Sequence, residues 1–570
     1  MNKKITISLM LGLILSGAAS IGAQTNVSSP TETKAGSSAL SRPRPNYRDK
    51  FMVDKFYYYM IDESQKTVGV APCNGVGDDM YRDNMEIPST ITYKGNTYTV
   101  TEIGPAAFFC CFDLEEIKIP LTVKYIGDRA FWGTWLKAIN IPDGVEEIGD
   151  YCFSKILPAT SLTIGKGLKK AGKDPFVECY DLESITVDPE NTLYSNHDGA
   201  LYTKDMKEVV KYPGYRKSVT SVVLPSTVER LATGAFEYCE YLTELTLNEG
   251  LKEIGAKAFH KCFGLKTLRI PSTVETIADG SAFILMSGCK QFEVAEGNKR
   301  FETILDGRGL VDKTEKKLVS LLYTKDTAPI KIPEGIEAIG AKAMMVLYEN
   351  KYVEKDYRGY GAYSFELPST LKTIGAYAFS GTNIRSIKIP DGVETIPCGC
   401  FDDCQKLSFV SFGKGCKNID DAVFNLCETM ESSSESVLRV YAEEPPKLLM
   451  DEDDEYVEPF SDKMVRKTQL QVPSGSLAKY KDDTAVGWCD FLKVVQLEGQ
   501  AAEDVQTSVP SIISRLGALT IVTPQASPVA IYSLDGIKLY TSTQTNFTVQ
   551  LPEGFYLVTY MNKSYKVRVH

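Results

Sequence analysis

Histidine is almost absent from this chain: His197, His260 and His570 are the only three in 570 residues. No two of them share a metal-site spacing, and a histidine-based nucleophilic triad needs partners at set positions. An excess of positive charge is missing as well. The 63 Lys and Arg against 74 Asp and Glu leave a formal charge of −11. That balance excludes the basic footprint of a nucleic-acid binder and the polybasic anchor of a protein held on anionic lipid. Long apolar runs are missing too. The stretch ITISLMLGLIL near the start has 11 residues, too few to span a bilayer, so no transmembrane anchor is expected. No cysteine precedes Cys73, which excludes a lipid-modified cysteine near the start. Catalytic, cofactor-binding and metal sites are all expected to be absent.

What the start does contain is an export pattern. Lys3 and Lys4 precede the apolar stretch, small residues follow, and Ala23 before Gln24 is a cleavage point. Residues 1–23 are therefore read as a signal peptide. Residues 24–50, rich in Ser, Thr and Pro, read as a flexible linker.

Beyond it the chain repeats itself. LKEIGAKAFHKCFGLKTLRIP from Leu251 returns as LKTIGAYAFSGTNIRSIKIP from Leu371 and as VEEIGDYCFSKILPATSLTIG from Val145. The residue before the glycine serves as a marker, at Ile103, Ile126, Ile148, Ala171, Leu231, Ile254, Ile277, Ile339, Ile374, Ile396 and Ile419. Successive markers lie 22 or 23 residues apart, except for steps of 60, 62 and 35. Five residues after the marker stands an aromatic: Phe108, Phe131, Phe153, Phe176, Phe236, Phe259, Phe379, Phe401 and Phe424. Met344 replaces it once and Phe283 arrives one residue late. A period of 20 to 29 residues with L-x-x-L-x-L spacing predicts a leucine-rich-repeat solenoid, mostly β, with a parallel strand ladder. The strand ends each unit. Leu268 and Ile270 are expected to face inward, Thr267 and Arg269 outward. The Phe column becomes a stacked core. The glycine after the marker is expected to allow a tight turn, and Pro120, Pro142, Pro271 and Pro390 to end strands.

The domain pattern follows. Residues 51–100 read as an N-terminal β cap, 101–440 as about eleven repeats, and 441–498 as a C-terminal cap, since exposed end coils need covering. Near 190–215 and 298–325 an Asp-Gly pair flanked by apolar residues signals a hairpin insert, expected to be two-stranded. The 35-residue step holds a Tyr-rich polar loop. Residues 499–517 read as a second linker. Residues 518–570 carry three strand-like runs, PVAIYSLDGIKLY, FTVQLPEGFYLVTY and SYKVRVH, which predict a small β-sandwich.

The unit I-G-x-x-A-F-x-x-C-x-x-L-x-x-I-x-I-P resembles the BspA-like leucine-rich repeats of bacterial surface proteins, over roughly residues 51–497. The Pro-Pro at 445 and 446 and VPSGSLAKYK resemble that family's closing segment. IYSLDGIKLY and LPEGFYLV in the tail are similar to the C-terminal sorting domains of type IX secretion, although His570 departs from their lysine-like ending. The resemblance implies a secreted or cell-surface protein that adheres to and binds proteins, such as those of an extracellular matrix, without catalysis.

The cysteines follow the repeat. Cys111, Cys179, Cys239, Cys262, Cys404 and Cys427 share one column, while Cys152 and Cys400 replace the Ala before Phe. They read as small buried hydrophobes. Export keeps bridges between stacked pairs, Cys239 with Cys262 or Cys404 with Cys427, as the alternative. The acidic run MDEDDEYVE at 450–458 reads as a solvated insertion, for it lacks the glycine and the spacing of a calcium loop. The outward strand positions are the candidate binding surface: Glu116, Lys118, Glu244, Arg269, Lys388 and Phe409 among them, with Phe409 the lone outward aromatic. Short hydroxyls and balanced charge suit a protein partner. The alternative is a glycan- or wall-directed module or enzyme, using the loop with Tyr348, Tyr352, Tyr357, Tyr360 and Tyr363.

Overall fold

The structure is a computed structural model. It describes residues 45–73, 81–322, 329–346, 364–449 and 458–497, and in the tail 511–515, 518–523, 528–533, 537–560 and 563–569. The chain divides into two units, Met1–Val495 and Gln496–His570.

Each coil of the first unit carries two strands. The short one contains the marker: Arg230–Leu231 lies parallel to Glu253–Ile254, which lies parallel to Thr276–Ile277. The longer one ends the unit: Thr267–Ile270 pairs in parallel with Gln291–Val294. Leu268 and Ile270 are fully buried, while Thr267 is half-buried and Arg269 exposed. The phenylalanines stack as the repeat predicts. Rings of Phe108 and Phe131 are 4.9 Å apart, and those of Phe131 and Phe153 5.1 Å apart. Phe236 and Phe259 follow at 6.2 Å, and Phe401 and Phe424 at 5.6 Å. Phe283 arrives late because a 3-10 turn, Gly280–Phe283, absorbs the extra residue, yet its ring still lies 5.9 Å from Phe259.

The turns are made differently from the sequence expectation. The third and seventh residues after the marker adopt left-handed backbone, as at Arg129, Tyr151, Lys257 and Tyr377, and at Glu178, Tyr238, Lys261 and Leu426. The glycine after the marker does not. Its role is close approach: a Cβ on Gly149 would sit 2.5 Å from the backbone nitrogen of Asp128, and one on Gly172 2.4 Å from that of Asp150. Glycine lets coils touch backbone to backbone.

No two of the 14 cysteines are joined by a disulfide. Four column cysteines have a hydrogen-bonding task. The Sγ of Cys179, Cys262, Cys404 and Cys427 each donates to the carbonyl of the preceding coil's core Phe, at 3.0 to 3.2 Å. Burial pushes the Cys179 and Cys404 thiols up to about 12, so they stay protonated donors.

The array is built as three blocks, each with its own apolar core. The cores run from Phe56 to Leu201, from Ala200 to Leu322 and from Val311 to Phe491. Each block opens on an antiparallel meander of three strands. The first is Phe51–Val53, Phe56–Asp62 and Thr67–Val70. The second is Tyr194–His197, Ala200–Thr203 and Glu208–Lys211. The third is Phe301–Ile304, Gly309–Asp312 and Lys317–Leu321. The inserts therefore have three strands, not two, and repeat the design of the N-terminal cap. In both inserts the third strand acts as a marker strand. Val209 pairs in parallel with Leu231, and Leu318 with Ile339. The long steps thus restart the array rather than interrupt it. A buried asparagine makes each join. Asn191 Nδ2 donates to Gly165 O at 2.7 Å while its Oδ1 accepts from the backbone of Leu193 and Tyr194. Asn298 makes the same bonds to Pro271, Arg300 and Phe301.

The last coil is sealed by aromatics. Phe460, Trp488 and Phe491 pack together, Trp488 Nε1 donates to Pro446 O at 2.7 Å, and Tyr480 OH to Ala442 O at 2.9 Å. In the second unit a three-stranded and a four-stranded antiparallel sheet share one core around Leu519, Ile531, Val558 and Val569. Its first strand, Ser511–Arg515, lies in the stretch expected to be linker.

Candidate binding surface

The outward strand residues are spread over the blocks. Glu116 and Lys118 lie in the first, Glu244 and Arg269 in the second, and Lys388 and Phe409 in the third. The structure does not bring them together as one patch. Glu116, Lys118, Glu244 and Arg269 are exposed, and Lys388 is half-buried. Lys118 pairs with Glu86 at 3.5 Å, and Arg269 approaches Glu249 at 3.7 Å.

Phe409 requires a correction. It was expected to be an exposed aromatic, but it is only 7% exposed. The strand Phe409–Phe412 does alternate, with Val410 and Phe412 facing the core. The outward ring is instead covered by Arg439, whose guanidinium lies 5.3 Å from the ring centroid. The next strand, Val437–Val440, delivers that arginine, pairing Phe409 with Val437 and Ser411 with Arg439. A third strand, Gln469–Val472, sets Gln471 opposite Arg439. There Arg439 Nε donates to Gln471 Oε1 at 2.8 Å and Nη1 to Tyr441 OH at 3.3 Å.

These strands belong to a seven-stranded sheet that runs in chain order from Ile330–Lys331 to Lys493–Gln496. Its outward side presents Lys388, the Phe409–Arg439 stack, Tyr441 and Gln471. A guanidinium held by a ring, a phenol and an amide is ordered before any partner arrives. Such a patch offers donors for carboxylates and carbonyls, and it holds no nucleophile paired with a base. Arg439, Tyr441 and Gln471 escaped the sequence reading because the outward strand positions were followed no further than the strand of Phe409. Their signal was the same alternation: V-L-R-V repeats the pattern of F-V-S-F.

Histidine, scarce in the sequence, leads to a second polar cluster, at the join of the first two blocks. Lys211 Nζ lies 2.5 Å from Glu237 Oε1, with both side chains at 1% exposure or less. The Glu178 backbone also donates to Glu237 Oε1, and Lys257 Nζ reaches Glu178 Oε1 at 2.6 Å. Burial raises the Glu237 carboxyl above its ordinary range and brings the Lys261 ammonium down to about 7. His260 is buried among them. Neither ring nitrogen has a hydrogen-bond partner, and burial holds it well below its usual value, so it is neutral. This cluster is a packed join, not a cleft. His197 is half-exposed beside Asp198 at 3.4 Å. Among the described residues no group of three His, Cys, Asp or Glu is placed to hold a metal ion. His570, the Tyr348–Tyr363 loop and residues 450–457 of the acidic run lie outside the described residues.

Comparison with known proteins decides the family. The description "BspA type Leucine rich repeat region" matches in 6 copies, over residues 101–214, 207–305 and 355–436, just over half of the chain. The chain belongs to the BspA-type leucine-rich-repeat family. No curated protein matches it. A leucine-rich cell surface protein of Faecalibacterium prausnitzii is similar in structure, at 18% identity and a TM-score of 0.37, over 72% of this chain and 98% of that one. A leucine-rich-repeat protein of Bacteroides ovatus is similar at 22% identity and a TM-score of 0.28, over 69% and 94%. The pneumococcal vaccine antigen PcpA is similar at 16% identity and a TM-score of 0.32, over 69% and 93%. Among the described residues of this BspA-type chain, no helix is long and apolar enough to cross a membrane.

Proposed function

We propose that this BspA-type chain is an exported, non-enzymatic adhesin that works at the cell surface and binds a protein partner, of the extracellular-matrix type, by the outward side of its strand ladder. Residues 1–23 direct export, and residues 518–570 serve as a sorting domain. The observation that carries the binding role is the Arg439 stack on the seven-stranded sheet. An arginine fixed over Phe409 and tied to Gln471 loses little freedom on binding, and Arg and Tyr dominate the energies of protein interfaces. Lys388 and Tyr441 flank it. Glu116, Lys118, Glu244 and Arg269 extend the charged surface over the earlier blocks. Membership of the BspA-type leucine-rich-repeat family supports the location.

The test is binding of the full-length mature protein to arrayed matrix proteins and to a glycan array. Saturable protein binding is expected, weakened about tenfold by Arg439→Ala, a loss of about 1.4 kcal/mol. Glycan binding lost on changing Tyr352 or Tyr360, or turnover of any arrayed substrate, would replace this reading with the wall-directed one.

A further inference from the structure

The outward side of the third block's ladder differs in charge from the other two. In the first block Lys118 stands opposite Glu86, with Glu116 two residues before it. In the second block Arg269 stands opposite Glu293, with Glu244 on an earlier strand. In the third block the balance reverses. Lys331 lies opposite Glu366 and is 3.9 Å from it. Beyond that pair, Lys388 lies opposite Ser411, and Ser411 opposite Arg439. Among the described residues of this row, three cations face one acid. Arg439 is the cation that the fold holds most firmly.

Its guanidinium is fixed by neutral groups only. Nε donates to Gln471 Oε1 at 2.8 Å and Nη1 to Tyr441 OH at 3.3 Å. Gln471 is itself oriented, because its Nε2 donates to Gln469 Oε1 at 2.9 Å. The Phe409 ring lies under the cation, 5.3 Å away, and the Tyr441 ring lies 6.0 Å away. No carboxylate of the described residues forms an ion pair with Arg439. A guanidinium has five N–H groups. Two of the five are used, which leaves one on Nη1 and both on Nη2. Tyr441 OH accepts from Arg439, so its own proton is left to give. The residue is half-buried, so the unused donors are within reach of solvent.

We infer that Arg439 is a carboxylate receptor, and that the partner of this face presents an acidic segment to it. The inference rests on the reading that the third block's ladder binds a protein. A side-chain carboxylate of the partner takes parallel hydrogen bonds from Nη1 and Nη2, and the Tyr441 hydroxyl adds a third. The planar fork of arginine fits the two oxygens of a carboxylate, and a bond between charged groups is the stronger kind. A neutral carbonyl would fill the donors but leave the charge without a counter-ion. The ring, the amide and the phenol hold the fork before the partner arrives, so little freedom is lost on binding. The excess of cations along the row favours acidic residues on either side of the one that Arg439 takes.

The experiment measures binding of the full-length mature protein to three labelled probes at low salt by fluorescence polarisation. They are a short peptide of alternating Glu and Ser, its twin with Gln in place of Glu, and heparin. The Glu peptide is expected to bind about tenfold tighter than the Gln twin, and tighter than heparin. Arg439→Gln should abolish the difference between the twins. Arg439→Lys, which keeps the charge but not the fork, should restore only part of it. Equal binding of the twins to the wild type would overturn the inference. So would a difference that survives Arg439→Gln, which would place the acidic peptide elsewhere on the chain. Heparin binding tighter than the Glu peptide, and lost in Arg439→Gln, would overturn it in favour of a sulfated polymer. Failure here is distinct from failure of the protein-binding reading. Matrix-protein binding that Arg439→Ala weakens, with the twins bound equally, would keep that reading and remove the carboxylate.

Discussion

At the residue scale, the side chains that matter most are those that repeat from coil to coil. Phe259 lies between Phe236 and Phe283, fully buried. Phe259→Ala is expected to cost about 3–5 kcal/mol, read from denaturant midpoints, because a buried aromatic is removed and its cavity cannot collapse. His260 makes the opposite prediction. Both of its ring nitrogens are buried without partners, so an apolar replacement removes a desolvation cost. His260→Leu should raise stability by about 1 kcal/mol. A loss of stability would mean that the ring has a partner after all. The Phe column was legible because its positions never leave the period. Phe409 was misread because period-2 reasoning fixes which side a residue faces, not what its neighbour lays over it. The covering residue, Arg439, lies 30 positions further on, in the strand of the next coil.

At the element scale, contacts run from one coil to the next. Gly149→Ala would drive a methyl group into the Asp128 backbone, at an expected cost of about 1–3 kcal/mol. The short strands are laced by charges that alternate along the array. Glu146 meets Lys124 and Lys169, Glu229 meets Lys207 and Lys252, and Glu337 meets Lys316 and Lys372. The two lysines around Glu229 lower its carboxyl from 4.5 to about 2, and those around Glu337 do the same. A depressed carboxylate stabilises the fold fully above its unfolded value. That contribution should fade as pH falls from about 4.5 to about 2. These groups are exposed, so the effect is small and salt should weaken it further. Denaturation of Glu337→Gln against the parent should show a difference at neutral pH and low salt that vanishes near pH 2. The Asp-Gly turns revealed where the hairpins lie, with Asp198 and Gly199 both left-handed as a two-residue turn needs. The third strand of each insert was hidden, because KEVVK and KKLVSL read as ordinary apolar runs until their parallel pairing is seen.

At the scale of the whole molecule, the array behaves as three successive solenoids, each seeded by a meander and joined through Asn191 or Asn298. The repeat period made the solenoid and its parallel ladder legible. It could not show which outward residues cluster, because clustering depends on where the long strands form one sheet. Lys118 and Arg269 are equivalent to Lys388 by position but belong to other blocks. The separate cores imply that Asn191→Ala, which leaves Gly165 O and two backbone N–H groups without their partner, should weaken the first join by about 1–3 kcal/mol. Hydrogen exchange should then rise on both sides of that join and stay unchanged beyond Leu371. The central claim is that the third block's ladder is the binding face. Its most direct test is hydrogen–deuterium exchange of the full-length mature protein, free and saturated with the matrix protein that it binds most tightly. The account predicts slowed exchange confined to segments 386–388, 409–412, 437–441 and 469–472. Slowed exchange confined to the first two blocks or to residues 347–363, with the 409–441 region unchanged, would contradict it.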